Sequence, residues 1–317
     1  PWNIYMFYGD HKLLADCYEN IRRYVDYVDR TSPTGLTSWG RGDWVPVKSH
    51  SSKELTSSVY FYVDTKILAN AAKMFNKTED YKYYSALANK IKNAINDKFL
   101  NRETGIYGSG VQTEQSVPLQ WGIVPEELKR KVARNLAKQV EAAGFHLDVG
   151  VLGAKAILNA LSENGEAETA YKLAAQDTYP SWGCWIANGA TTLLENWDLN
   201  ATRDISDNHM MFGEIGGWFY KGLGGIFPDP ENPGFKHILL RPNFPSGLNE
   251  FEARYQSPYG EICSKWERKK NRIFYHVTVP ANSTATFYAP DNVKGERAVN
   301  LEAGEHILEL LLLRSSK

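Results

Sequence analysis

The chain has 317 residues, 43% of them hydrophobic and 23% charged, enough to bury the cores of one or two soluble domains. Its formal net charge is −1 and it contains no run of five lysines or arginines, so the electrostatic footprint of a nucleic-acid or membrane-surface protein is absent. Cys17, Cys184 and Cys263 are scattered and form no CxxC pair, which points away from a zinc site or a disulfide framework, and no stretch approaches the roughly eighteen apolar residues of a membrane span.

The opening "PWNIYMFYGDHK" begins with Pro rather than Met and lacks the basic start and apolar run of a signal peptide. It reads as the start of a piece of a longer chain, and nothing in the sequence fixes a compartment. From here to about Ile226 the hydrophobic period is helical. In "DHKLLADCYENIRRYVDYVDR", Leu13, Leu14, Cys17, Ile21, Tyr24, Val25 and Val28 form one stripe at three- and four-residue spacings. "SSKELTSSVYFYVDTKILANAAKMF" follows, with Ser51-x-x-Glu54 as the expected capping box. A third helix is predicted from Thr78, and a fourth has Pro125 near its first turn and Gly144 as its stop. Further helices are predicted in "VGVLGAKAILNALSENG", "EAETAYKLAAQ" and "NHMMFGEIGGWFYKGL". Long connections bearing Gly and Trp, at 31–50 and 177–206, alternate with short ones. Short links make helical hairpins and long ones gather over one face, the pattern of an (α/α) barrel.

After "GGIFPDPENPGF" the period drops to two. Runs such as "KHILLRP", "EFEARYQS", "RIFYHVTVP" and "STATFYAP" lie between Pro, Gly and Asn punctuation and predict an antiparallel β-sandwich. Within it Ile262, Ser264 and Trp266 share a face, and Lys270-Asn271 turns the chain. Residues 1–226 are therefore expected as a helical domain and 227–317 as a β domain.

The stretch "SWGCWIANGATTLLENWD", Ser181 to Asp198, gathers three tryptophans around Glu195. A sugar offers one apolar C–H face, which an aromatic ring covers, and a hydroxyl rim, which carboxylates and histidines bind. "SWGRGDWVP" adds Trp39, Asp43 and Trp44, and "SDNHMMFGEIGGWFY" adds Asp207 and His209, where Asp207 or Asn208 is also a candidate helix cap. Against this, core packing outweighs ligand contact about threefold for a lone tryptophan, and a lone Glu is most often a solvated charge. His209 alone divides evenly between structure and site. Aromatic residues make up 13% of the chain, which suits a neutral ring-shaped ligand or a large core equally. No GxSxG, HExxH, Walker or strand–helix GxGxxG motif is present.

"TYPSWGCWIANGATTLLENWD" followed by "NHMMFGEIGGWFYKGLGGIFPDPENPGF" resembles the C-terminal part of bacterial α-L-rhamnosidases of glycoside hydrolase family 78. "PWNIYMFYGD", "GDW" and "HLDVGVLGAKAILNAL" resemble earlier blocks of that family, and the likeness covers essentially the whole chain. The resemblance implies an (α/α)₆ barrel, incomplete at its N-terminus, followed by a β-sandwich. It implies inverting hydrolysis of terminal α-L-rhamnosyl residues from an oligosaccharide, polysaccharide or glycoside, with two carboxyl groups, no metal and no cofactor. In inversion the two carboxyls stand about 6.5–9.5 Å apart, leaving room for water. Glu195 is then the general base, His209 a sugar ligand, and Trp2, Tyr8 and Trp44 the pocket lining. Asp43 and Trp182 are further candidates, each equally explained by a turn or by packing. The family's general acid lies in an upstream segment of the type Asp-x-Pro-x-Arg-x-Glu, which this chain lacks; the expected partner is thus an N-terminal portion of the same enzyme. Another (α/α)-barrel glycosidase, or a truncated carbohydrate-binding protein without activity, remains open.

Overall fold

The computed structural model describes residues 1–313; the last four residues of the expected domain 227–317 lie outside the described residues. By its contacts the chain forms two compact units, Ala15–Ile215 and Pro1–Leu14 together with the chain from Gly216 onward. A division at 226 does not anticipate this grouping. Its cause is local: in helix α1 (Trp2–Tyr8), Phe7 sets its ring edge-on to Phe235 at 5.7 Å and to Tyr255 at 6.2 Å. The Met6 carbonyl also accepts the Gly234 N–H.

The helical unit contains α2 (Lys12–Thr31, from Ala15 on), α3 (Lys53–Met74), α4 (Thr78–Phe99), α5 (Gln112–Gln120), α6 (Lys129–Ala142), α7 (Val151–Ser162), α8 (Ala167–Ala174) and α9 (Trp182–Ala187). Successive helices pair: α3 with α4, α5 with α6 and α7, α7 with α8. The α2–α4 seam is polar. Tyr18 donates to Asp80, Tyr84 to Asp26 and Tyr83 to Asp29, at 2.6–2.7 Å. Along α2 the buried residues are Leu14, Tyr18, Val25 and Val28, whereas Leu13 and Tyr24 of the expected stripe are about 40% exposed. The α3 cap is Ser52, one residue after the expected Ser51; its hydroxyl accepts the Leu55 N–H. Glu54 is drawn instead to Lys98.

Two departures bear on the site. Residues 112–119, which carry no helical stripe, form α5 and are buried on every side, because a central helix needs no polar face. The single helix expected over 208–223 is broken into a 3₁₀ turn (Met210–Phe212), α10 (Glu214–Trp218) and a π turn (Phe219–Leu223), in line with its four glycines from 213 to 222.

The other unit is a two-layer β-sandwich. One sheet has strands Ala298–Leu301, Thr284–Tyr288, His237–Leu240 and Ile226–Pro228 in spatial order. The second has Glu250–Ser257, Gly260–Lys269, Arg272–Val279, Gly304–Leu312 and Val293–Lys294. Every pairing is antiparallel except His237–Leu240 with Thr284–Tyr288, which run parallel; this corrects the all-antiparallel expectation. Ile262, Ser264 and Trp266 do share a buried face, packed with Tyr275, Ile238 and Phe287. No helix among the described residues is long and apolar enough to cross a membrane.

Candidate functional site

Two long loops are tied to the residues at the start of α7. From the loop at 31–50, the Asp43 carboxylate accepts the N–H groups of Gly150 (2.8 Å), Leu152 (2.7 Å) and Gly153 (3.2 Å) and the Thr113 hydroxyl. The Trp44 carbonyl takes the Val151 N–H at 2.9 Å. These donors are the unpaired first N–H groups of a helix, and a carboxylate there also meets the positive end of its dipole. The fit requires glycine at 150, since a Cβ there would stand 2.3 Å from the Trp44 carbonyl oxygen. Asp43 is 8% exposed, and burial pushes its carboxyl above the usual range while the four hydrogen bonds oppose that shift. Asp43 is therefore a helix clamp, and the structural explanation of this candidate is the one the geometry supports. Further along the same loop, Asp148 accepts the Lys48 and Ser49 N–H groups and the Ser49 hydroxyl.

The second loop, 188–209, rests on indoles. Trp185 and Trp197 stack at 4.8 Å, Trp182 meets Trp197 edge-on at 5.3 Å, and Phe212 lies 4.3 Å from Trp197. All three tryptophans are at most 5% exposed. Each N–H is spent on a main-chain carbonyl: Trp182 on Phe212, Trp185 on Trp197 and Trp197 on Val149. Such aromatic pairs add about 0.5–1.5 kcal/mol each beyond area burial. Trp182 thus has no open face for a sugar; it belongs to the packing beneath the loop.

On that support the chain folds back on itself. Glu195 donates its N–H to the Ser206 carbonyl, and the Ser206 N–H returns to Glu195 Oε2 at 3.1 Å. His209 donates its N–H to the Leu193 carbonyl at 2.8 Å, which brings the two side chains together. His209 Nδ1 accepts the Met211 N–H, so His209, rather than Asp207 or Asn208, caps the turn that follows. The neutral ring must then carry its proton on Nε2, which faces Glu195 Oε1 at 4.0 Å. The Glu195 side chain is 20% exposed and His209 40%. Among the described residues no lysine or arginine pairs with Glu195. The carboxylate is positioned, reachable from solvent, and left with acceptor capacity on Oε1.

Trp44 is half-buried with the Arg41 guanidinium 5.4 Å from its ring centre. Trp2, half-buried against Tyr5, and Tyr8, 60% exposed, lie on α1 in the other unit. Other acids near these loops are already engaged. Glu114 accepts from the Ser52 N–H and from the N–H and hydroxyl of Ser109, and Glu54 pairs with Lys98. Asp64 on α3 differs: burial pushes its carboxyl up to about 6, and no hydrogen bond or ion pair reaches it among the described residues. The signal for Asp64 was the one carboxylate inside the largely apolar run "VYFYVDTKIL", which helical periodicity alone does not single out.

Residues 1–223 match the bacterial α-L-rhamnosidase six-hairpin glycosidase domain, and residues 225–304 match the bacterial α-L-rhamnosidase C-terminal domain. An α-L-rhamnosidase of Formosa agariphila is 30% identical over the whole chain, which spans 36% of that relative. The structure of α-L-rhamnosidase from Dictyoglumus thermophilum superposes with a TM-score of 0.88 at 32% identity, covering 98% of this chain and 38% of that one. That of Streptomyces avermitilis α-L-rhamnosidase complexed with L-rhamnose gives 0.84 at 28% identity, covering 99% and 31%. The chain therefore spans about a third of the length of the relatives it matches.

Proposed function

The chain belongs to the bacterial α-L-rhamnosidase six-hairpin family, and we propose from that premise that it carries the general-base half of an inverting hydrolysis of terminal α-L-rhamnosyl residues. In this reading residues 1–226 belong to the catalytic domain and 227–317 form an accessory β domain. The observation that carries the proposal is the state of Glu195. One oxygen is held by the Ser206 N–H, the other faces His209 Nε2 at 4.0 Å, and no lysine or arginine among the described residues pairs with the group.

Glu195 accepts a proton from water as that water attacks the anomeric carbon from the face opposite the leaving group. His209, oriented by its Nδ1 contact, offers Nε2–H to a sugar hydroxyl beside the base. Trp44 supplies an apolar wall. The proton for the departing oxygen must come from a second carboxyl group. Asp43, Glu54, Glu114 and Asp148 are each engaged in the helical unit, and Asp64 lies on α3 rather than on the loop of Glu195 and His209; following the family resemblance, we place the acid on a portion of the enzyme outside this chain. The relatives' greater length supports that placement.

The test follows hydrolysis of an aryl α-L-rhamnoside by the enzyme carrying this chain, with NMR of the first sugar released. β-L-Rhamnose as the initial product is the expected result. Initial α-L-rhamnose would exclude inversion, and cleavage of an aryl glucoside in place of the rhamnoside would exclude the substrate. Rhamnose binding without turnover in the intact enzyme would favour the carbohydrate-binding alternative.

A further inference from the structure

A groove lies along the loop that holds Trp44, and nothing in the proposed hydrolysis uses it. Two adjoining hollows of 190 and 510 Å³ share Tyr24, Trp39, Gly40 and Arg41. Trp39 is 62% exposed, although it is wedged between Tyr24 and Tyr27, with ring centres at 5.9 and 6.1 Å. The contrast with Trp182, Trp185 and Trp197 is sharp, since those indoles are buried and their N–H groups occupied. Here three rings form an open platform held in place by one another.

The polar groups of the groove have one sign. Arg41 and Lys53 line the larger hollow, and the described residues lining either hollow include no Asp or Glu. Arg41 lies over the Trp44 ring, and neither it nor Lys53 pairs with a carboxylate among the described residues. Asp64, whose charge reaches the Tyr24 hydroxyl, is not part of the lining. A flat aromatic surface beside two unneutralised cations suits a ring with an apolar face and an anionic substituent. A neutral sugar would leave both cations idle. Leu152, in the first turn of α7, lines the smaller hollow, and Val149 just before that turn accepts the Trp197 N–H, so the groove and the loop that carries Glu195 meet the same helix end.

We propose that Tyr24, Trp39, Arg41 and Lys53 form a subsite for an acidic sugar, a uronate or sulfated pyranose, on the leaving-group side of the scissile rhamnoside. This rests on the rhamnosidase reading above. Trp39 covers the C–H face of the ring, and Arg41 and Lys53 hold its anionic group.

The experiment compares three substrates in the intact enzyme: an aryl α-L-rhamnoside, a rhamnosyl-glucose disaccharide and its rhamnosyl-glucuronate counterpart. The variants are Trp39→Ala, Lys53→Met and Lys53→Arg. The wild type is expected to favour the glucuronate over the glucose disaccharide by about tenfold in kcat/KM. Trp39→Ala and Lys53→Met should remove that preference through KM, Lys53→Arg should keep it, and aryl rhamnoside hydrolysis should stay within about twofold throughout. Aryl rhamnoside cleavage with no preference between the disaccharides overturns the subsite and leaves the function standing. Absence of rhamnoside cleavage overturns the function instead. Calorimetric titration with both disaccharides then decides the groove separately: tighter binding of the glucuronate, lost in Trp39→Ala, supports it, and equal binding overturns it.

Discussion

Asp43 and Glu195 stand in loops of the same character, rich in glycine and tryptophan and both tied to the start of α7, yet they end in opposite states. Asp43 is buried and takes four hydrogen bonds, three from the first turn of α7. Glu195 is partly open and takes one side-chain hydrogen bond, from Ser206, with a histidine just beyond hydrogen-bond reach. A carboxylate saturated by rigid donors has no acceptor capacity left for a reacting proton, whereas an under-coordinated one does. The tryptophans divide in the same way. Those beside Glu195 in sequence are foundation, and the exposed Trp39 lies in the loop that Asp43 clamps.

Glu195→Gln attacks one side of this comparison and should have the largest effect. In the intact enzyme kcat on an aryl rhamnoside should fall by about 10²–10⁴-fold, while stability changes by about 0.5 kcal/mol or less, because the amide oxygen can still accept the Ser206 N–H. Turnover close to wild type would remove Glu195 from the base role. Asp43→Ala attacks the other side. It leaves three helix N–H groups and the Thr113 hydroxyl without their acceptor, so urea unfolding should show a loss of about 2–4 kcal/mol. A loss below about 1 kcal/mol would mean that the clamp is not what holds the loop.

Asp64 sharpens the contrast, being half-buried on α3 and without donors among the described residues. Its folded-state pKa, pushed up to about 6 by burial, lies above the ordinary 3.8. Between those values the folded state binds more protons than the unfolded one, so stability falls as pH rises. The contribution is fully present below pH 4 and lost above pH 6. Asp64→Asn should therefore gain about 1–3 kcal/mol over wild type at pH 7 and nothing at pH 3.5, as read from paired urea titrations. A gain that does not depend on pH would show that Asp64 is solvated.

Much of the architecture was legible because it depends on near neighbours. The start of α4 at Thr78, the stop at Gly144 and the alternation that buries Ile262, Ser264 and Trp266 follow from period and punctuation. What was missed depends on distant partners. Ser52, whose N–H is taken by the distant Glu114, displaced Ser51 as the cap, and Tyr24 left the core stripe of α2 for an exposed ring cluster with Trp39. The Trp182 indole, a sugar platform by its sequence neighbours, spends its N–H on the Phe212 carbonyl thirty residues away.

Sequence alone determined that this chain has a helical part and a β part, that it resembles the rhamnosidase family, and that Glu195 and His209 are the pair to examine. These conclusions rest on hydrophobic period and residue motifs, which survive without coordinates. The tertiary structure decided what each polar group in those motifs does. Asp43 reaches donors more than a hundred residues further along the chain, and Glu195 is left open by the fold-back of a single loop. Whether a carboxylate is consumed by structure or kept for chemistry depends on how many donors the packing brings to it, and that number is a property of the folded chain.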